Sequence, residues 1–162
     1  MFEENDALTA ALAEALGAAK LTCATAESCT GGLIGALLTA RPGSSDWYLG
    51  GVISYANSVK ERVLGVSAGD LAAWGAVSEP VVRAMAAGAC RVTGADAAVA
   101  TSGVAGPGGG SPDKPVGTVW IAVALRGRTW AECLHFSGDR DAVRVQAARQ
   151  ALRMLLECLQ EP

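Results

Sequence analysis

Apolar positions along the chain follow two spacings, and the chain switches between them repeatedly. Leu8, Leu12, Ala15 and Leu16 fall on one helical face, opened by Asn5 or Asp6 and closed by Gly17. Leu21 to Ala26 then reads as a short strand. Ser28 through Gly32 form a tight junction into an apolar helix over 33–39, which Arg41-Pro42-Gly43 stops. A second strand runs from Trp47 to Tyr55, interrupted at Gly50-Gly51. A helix carrying Val59, Val63 and Leu64 follows, capped by Asn57 or Ser58.

Ser78 reads as the cap of the next helix, with Glu79 and Pro80 in its first turn and Val92 near its end. Ala97 to Ala100 is a short buried strand that runs into Thr101-Ser102-Gly103. The stretch 104–115 holds four glycines and three prolines and must be a loop. Segments 117–125 and 129–136 are strands joined by the turn Arg126-Gly127-Arg128, which predicts an antiparallel hairpin. The final helix spans Arg140 to Gln160 and buries Ala148, Leu152, Leu155 and Leu159. Strands alternating with helices, plus one hairpin, predict an α/β protein: a single layered α/β/α domain over 1–162 with a mixed sheet.

Composition narrows the function classes. With 162 residues, 51% hydrophobic and 18% charged, the chain has enough apolar surface for one proper core. A net charge of -3 without any Lys/Arg cluster excludes a nucleic-acid partner. No apolar run reaches membrane-spanning length, and the N-terminus is acidic where a secretory signal is basic, so a cytoplasmic protein is expected. The five cysteines at 23, 29, 90, 133 and 158 lack zinc or redox spacing, so reduced thiols and no metal are expected.

Three unusual segments fall where strands end and helices begin, the place where α/β sheets gather ligands. They are Ala26 to Gly32, Ser54 to Lys60 and Thr101 to Gly110. Ser28 reads either as a helix cap or as a nucleophile. Two glycines open the helix behind it at about 1 kcal/mol each, a cost tolerated where backbone approaches a ligand. The amides of Thr30 and Gly31 are then candidate oxyanion donors.

A serine nucleophile needs a base. His135, the only histidine, lies in an alternating strand and is a poor partner. Lys60, one of three lysines, follows a strand end by one helical turn; partial burial lowers an amine's pKa and lets it accept a proton. Its plain alternative is a solvated helix charge. Tyr55, at the same strand end, either steers that transfer or packs in the core. Cys29 is the second candidate nucleophile. The glycine-rich loop lacks the Walker pattern and reads either as a nucleotide-wrapping nest or as a surface loop. Arg140, opening the last helix, either holds a phosphate or pairs with Asp139 or Asp141.

Taken together these segments resemble the CinA C-terminal domain family, whose characterised members are nicotinamide-nucleotide amidohydrolases. The resemblance rests on Ala26-Glu27-Ser28-Cys29-Thr30-Gly31-Gly32, Gly51-Val52-Ile53-Ser54-Tyr55 with Asn57 and Lys60, and Gly75-Ala76-Val77-Ser78-Glu79. It continues through Thr101 to Gly110, Lys114-Pro115-Val116-Gly117-Thr118-Val119, and Phe136 with Gly138-Asp139-Arg140. The resemblance implies hydrolysis of nicotinamide mononucleotide to nicotinate mononucleotide and ammonia, in pyridine-nucleotide recycling and without metal or cofactor. It implies Ser28 as nucleophile, Lys60 as base and Tyr55 as assistant. Thr30, Gly31, Thr101, Ser102 and Gly103 are expected around the substrate, and Arg140 on its 5′-phosphate. A homodimer is the expected assembly. Three other readings stay in view: a non-catalytic nucleotide-binding module, a Ser/Lys amidase for another small substrate, and a thiol enzyme using Cys29.

Overall fold

A computed structural model describes residues 1–161. Its five strands are β1 (Cys23–Glu27), β2 (Tyr48–Ile53), β3 (Ala97–Gly103), β4 (Thr118–Leu125) and β5 (Arg128–His135). They form one sheet in the order β2-β1-β3-β4-β5. The first three are mutually parallel and the last two add antiparallel. The helices are α1 (Asp6–Ala19), α2 (Leu33–Thr39), α3 (Asn57–Arg62), α4 (Ala68–Trp74), α5 (Glu79–Thr93) and α6 (Arg140–Gln160). This is the mixed α/β architecture that the alternating pattern predicts.

Alternation along the inner strands sorts the side chains into two unlike faces. Val99, Val119, Ile121, Val123 and Leu125 point to one side, where α1, α2 and α6 cover them. Ala24, Ala26, Ala98, Ala100, Ala122 and Ala124 pave the other, beneath Val81, Val82, Met85 and Ala89 of α5. Small side chains let α5 come close. At Gly88 of α5 a Cβ would strike the backbone of Leu64, so the approach there is limited by main chain.

The two crossovers cover opposite faces, and that places the site. The β1–β2 connection carries α2 on the aliphatic face, and the β2–β3 connection carries α5 on the alanine face. The chain therefore diverges at the carboxyl ends of β1 and β3, the switch point where open sheets leave a crevice. Ser28 N–H donates to Thr101 O (3.0 Å) and Ser54 N–H to Glu27 O (2.9 Å), which ties the three strand ends together.

Local differences from the sequence reading each have a cause. Gly17 lies inside α1; the helix ends at Lys20, left-handed at φ 56°, with Lys20 N–H on Gly17 O and Leu21 N–H on Leu16 O. One interior glycine costs about 1 kcal/mol, too little to stop a helix whose buried face is complete. Neither Asn57 nor Ser58 caps α3; Ala56 holds that position and Asn57 is the first helical residue. Ser78 does precede α5, but its hydroxyl donates to Gly75 O instead of capping. The short, wholly unburied α4 has no apolar stripe to announce it, and its signal is Ser67, whose Oγ accepts from Asp70 N–H. At Gly50-Gly51 the strand continues through a bulge, with Ala24 facing Gly50 after Cys23 faces Tyr48.

Candidate active site

Ser28 is the residue at which β1 gives way to the turn into α2. It is 8% exposed and opens onto a cleft of about 320 Å³. Lys60 reaches it from α3, with Nζ 3.0 Å from Ser28 Oγ. The same nitrogen lies 2.7 Å from Ser54 O and 3.2 Å from Tyr55 O. Lys60 is 1% exposed and, among the described residues, has no carboxylate within ion-pair distance. Burial lowers its pKa from the ordinary lysine value, against a smaller opposing influence from Cys29. With Nζ neutral, two N–H groups meet the two carbonyls and leave the lone pair for the serine hydroxyl. This group cannot be the solvated helix charge of the plain alternative.

On the other side of Ser28 lies a second fully buried ionisable group, Glu27. Its Oε1 accepts from Thr30 Oγ1 (2.7 Å) and Ile34 N–H (2.9 Å), and its Oε2 from Gly35 N–H (3.0 Å). Thr30 Oγ1 also meets Thr101 Oγ1 at 2.8 Å. Glu27 thus occupies the amides at the start of α2. Arg144 of α6 completes the support, donating Nε to Cys29 O and Nη2 to Thr30 O, both at 3.1 Å.

The cleft receives some of the expected residues and leaves others out. Ser28, Tyr55, Lys60, Ser102, Gly103 and Arg140 line it. Thr30 and Thr101 do not; both are fully buried, their hydroxyls engaged with Glu27 and each other, so they support the nucleophile turn from behind. Gly31 does not line it either, since its N–H already donates to Ser28 O (3.1 Å). The Tyr55 hydroxyl accepts from Arg140 (3.1 Å) and not from Lys60; what Tyr55 offers Lys60 is its carbonyl. Gly103 is required by packing, as a Cβ there would collide with Thr118 and Val119.

Arg140 makes no ion pair with Asp139 or Asp141. It donates to Gly106 O (2.8 Å) and Tyr55 Oη, while Asp139 caps α6 by accepting from Ala142 N–H. Burial pushes the Cys29 thiol up to about 11, which removes the thiolate that a thiol enzyme needs. His135 is an exposed residue at the end of β5, paired with Thr118 and outside the cleft. Among the described residues no three His, Cys, Asp or Glu side chains cluster as a metal site would require, and no helix is long and apolar enough to cross a membrane.

Two participants escape a reading by residue type. Glu27 ends a strand that is otherwise small and uncharged, and a carboxylate in a fully buried strand is the signal that finds it. Asn57 also lines the cleft, one helical turn before Lys60, its side-chain amide without a hydrogen bond to any described residue.

Residues 5–159 match the CinA C-terminal domain, and the chain belongs to that family. It is 52% identical to the nicotinamide-nucleotide amidohydrolase PncC of Shigella flexneri, over 91% of this chain and 90% of that protein. The protein of the same name from Escherichia coli (strain K12) is 51% identical with the same coverage. Other relatives are longer: the chain spans 38% of the CinA-like protein of Anaeromyxobacter sp. (strain K), at 53% identity. Among solved structures, the competence damage-inducible protein A of Klebsiella pneumoniae superposes with a TM-score of 0.91 at 44% identity, covering 94% of each chain.

Proposed function

We propose that this protein hydrolyses the carboxamide of nicotinamide mononucleotide, releasing nicotinate mononucleotide and ammonia, with Ser28 as nucleophile and Lys60 as base. The observation that carries the chemistry is the 3.0 Å approach of Lys60 Nζ to Ser28 Oγ in a buried setting, with no carboxylate among the described residues within ion-pair distance of the amine. Support for the substrate comes from the relatives named for that activity, which share about half of their residues with this chain over nearly their whole length.

The reaction runs as acyl transfer. Lys60 Nζ takes the Ser28 proton as Oγ bonds to the carboxamide carbon, giving a tetrahedral oxyanion. The resulting ammonium, steadied by Ser54 O and Tyr55 O, returns its proton to the amide nitrogen as the C–N bond breaks and ammonia leaves. A water then attacks the ester carbonyl, its proton passing to Lys60 and from there to Oγ. The pyridinium ring withdraws electrons from the carbon under attack. Arg140 exchanges Gly106 O for the 5′-phosphate, a stronger acceptor for the same two-pronged guanidinium. The product acid returns the nucleotide to pyridine-nucleotide synthesis.

The test is ammonia release by the purified protein in the presence of a chelator, with nicotinamide mononucleotide against free nicotinamide. Release from the nucleotide that disappears in Ser28→Ala is expected. Equal rates on free nicotinamide would remove the phosphate role of Arg140, and no release from either would leave a binding module.

A further inference from the structure

The turn 28–31, buried up to Thr30, contains a chain of peptide bonds that leads to a single side chain outside it. Each peptide plane points its C=O and its N–H in opposite directions. The Thr30–Gly31 peptide receives Arg144 Nη2 on its carbonyl and donates its N–H to Ser28 O (3.1 Å). That acceptor belongs to the Ser28–Cys29 peptide, whose N–H is the amide of the residue after the nucleophile. The Cys29–Thr30 peptide receives Arg144 Nε on its carbonyl, which turns the Thr30 N–H the opposite way. Neither the Cys29 nor the Thr30 N–H donates to any group among the described residues. Of the other amides here, Gly31 is taken by Ser28 O, Leu33 by Thr30 O, and Ile34 and Gly35 by Glu27; Gly32, like Thr30, has no acceptor but does not line the cleft.

We infer that Arg144 is a positioning residue for the oxyanion site, holding and polarising the Cys29 amide, the one amide without an acceptor in this turn whose residue lines the cleft, through the carbonyls of that turn. The inference deepens the amidohydrolase reading and rests on it for the nature of the oxyanion. Hydrogen bonds in series strengthen one another, so a guanidinium on the Thr30 carbonyl, relayed through Gly31 N–H and Ser28 O, makes the Cys29 N–H a better donor. The residue suits this task because, among the described residues, Arg144 makes no ion pair, and both its bonds go to this turn. It comes from α6, more than a hundred residues away in sequence, so the turn is set from outside its own segment. The oxyanion donor then becomes Cys29 instead of the Thr30 and Gly31 pair that the sequence suggests, since Thr30 is fully buried outside the cleft and Gly31 N–H is taken by Ser28 O.

The experiment measures Arg144→Ala and Arg144→Lys beside wild type in two assays. For ammonia release from nicotinamide mononucleotide, the alanine variant should lose about 30- to 100-fold in kcat with KM within about threefold, below the loss for deleting an oxyanion donor outright. The lysine variant, whose single ammonium grips one carbonyl well, should fall between them, and added guanidinium should restore part of the alanine variant's rate. The second assay is labelling of Ser28 by an uncharged fluorophosphonate, whose phosphoryl oxygen uses the same donor without any nucleotide. Labelling should slow in parallel with kcat. A labelling rate and kcat within twofold of wild type in Arg144→Ala would overturn the inference. So would a rate loss that tracks a fall in melting temperature and shows neither lysine nor guanidinium rescue. Wild type that labels no faster than Ser28→Ala ends it too. Wild type that labels, slows with Arg144→Ala and yet releases no ammonia would keep this inference and defeat the substrate assignment.

Discussion

Glu27 and Lys60 stand on opposite sides of one hydroxyl, equally hidden at 1% exposure each, and neither has an oppositely charged side chain against it. They differ in what surrounds them. Glu27 is met by three donors, the Thr30 hydroxyl and two amides at the positive end of α2 that cannot turn away. Its charge is solvated by the fold, and it serves as an anchor. Lys60 is met by two carbonyls and the Ser28 hydroxyl, and burial favours its neutral form. The two are buried alike and differ in their neighbours: donors gather round the carboxylate, carbonyls and one hydroxyl round the amine.

The comparison breaks most visibly at the reacting pair. Ser28→Ala and Lys60→Met are each expected to lower ammonia release by at least about 10³-fold, since the two groups act as one unit. Lys60→Met should nevertheless fold as stably as wild type or better near neutral pH. A buried lysine with a lowered pKa binds fewer protons folded than unfolded, so wild-type stability climbs with pH between the folded value and the ordinary 10.5. The stability advantage of Lys60→Met should therefore shrink over that interval, as denaturant melts at several pH values would show. In wild type, kcat/KM should rise with pH through the same lowered pKa, because only the neutral amine accepts the Ser28 proton.

Arg140→Met is the next largest effect: loss of charge-assisted bonds to phosphate should raise KM by about 10- to 100-fold and leave free nicotinamide unaffected. Glu27→Gln should cost about 2 kcal/mol, because one amide hydrogen of the glutamine must face a backbone N–H, and thermal melts should register a drop of about 4–8 °C. Some activity should survive, which is the contrast with Lys60. Tyr55→Phe should be mildest, raising KM about twofold to fivefold, since its hydroxyl touches Arg140 and only its carbonyl touches Lys60.

Strand and helix periodicity made the sheet, the hairpin and α6 legible, because each buries a face wide enough to imprint its spacing. Ser28 and Lys60 were legible as candidates from their positions after strand ends, though their contact depends on two crossovers that sequence spacing does not measure. Thr30 and Thr101 read as substrate contacts because a polar residue beside a nucleophile looks the same whether it faces the cleft or Glu27. Arg144 was invisible: an arginine on a long helix carries no mark of the turn it grips. The Gly31 amide was misplaced because its acceptor, Ser28 O, belongs to the same four-residue turn, and hydrogen-bond direction within a turn is a matter of dihedrals.

The alanine floor of the sheet has a bearing on selectivity. Ala76 and Val77, just ahead of α5, form part of the cleft, and Ser102 Oγ ties Ala76 O to the end of β3 at 2.8 Å. The height at which α5 rides is set by Ala98 and Ala100 beneath it. A valine in either place would lift that helix at about 1–3 kcal/mol of overpacking and draw the Ala76–Val77 rim outward. The width of the mouth is thus gauged from the underside of the sheet, by methyl groups that no ligand ever meets.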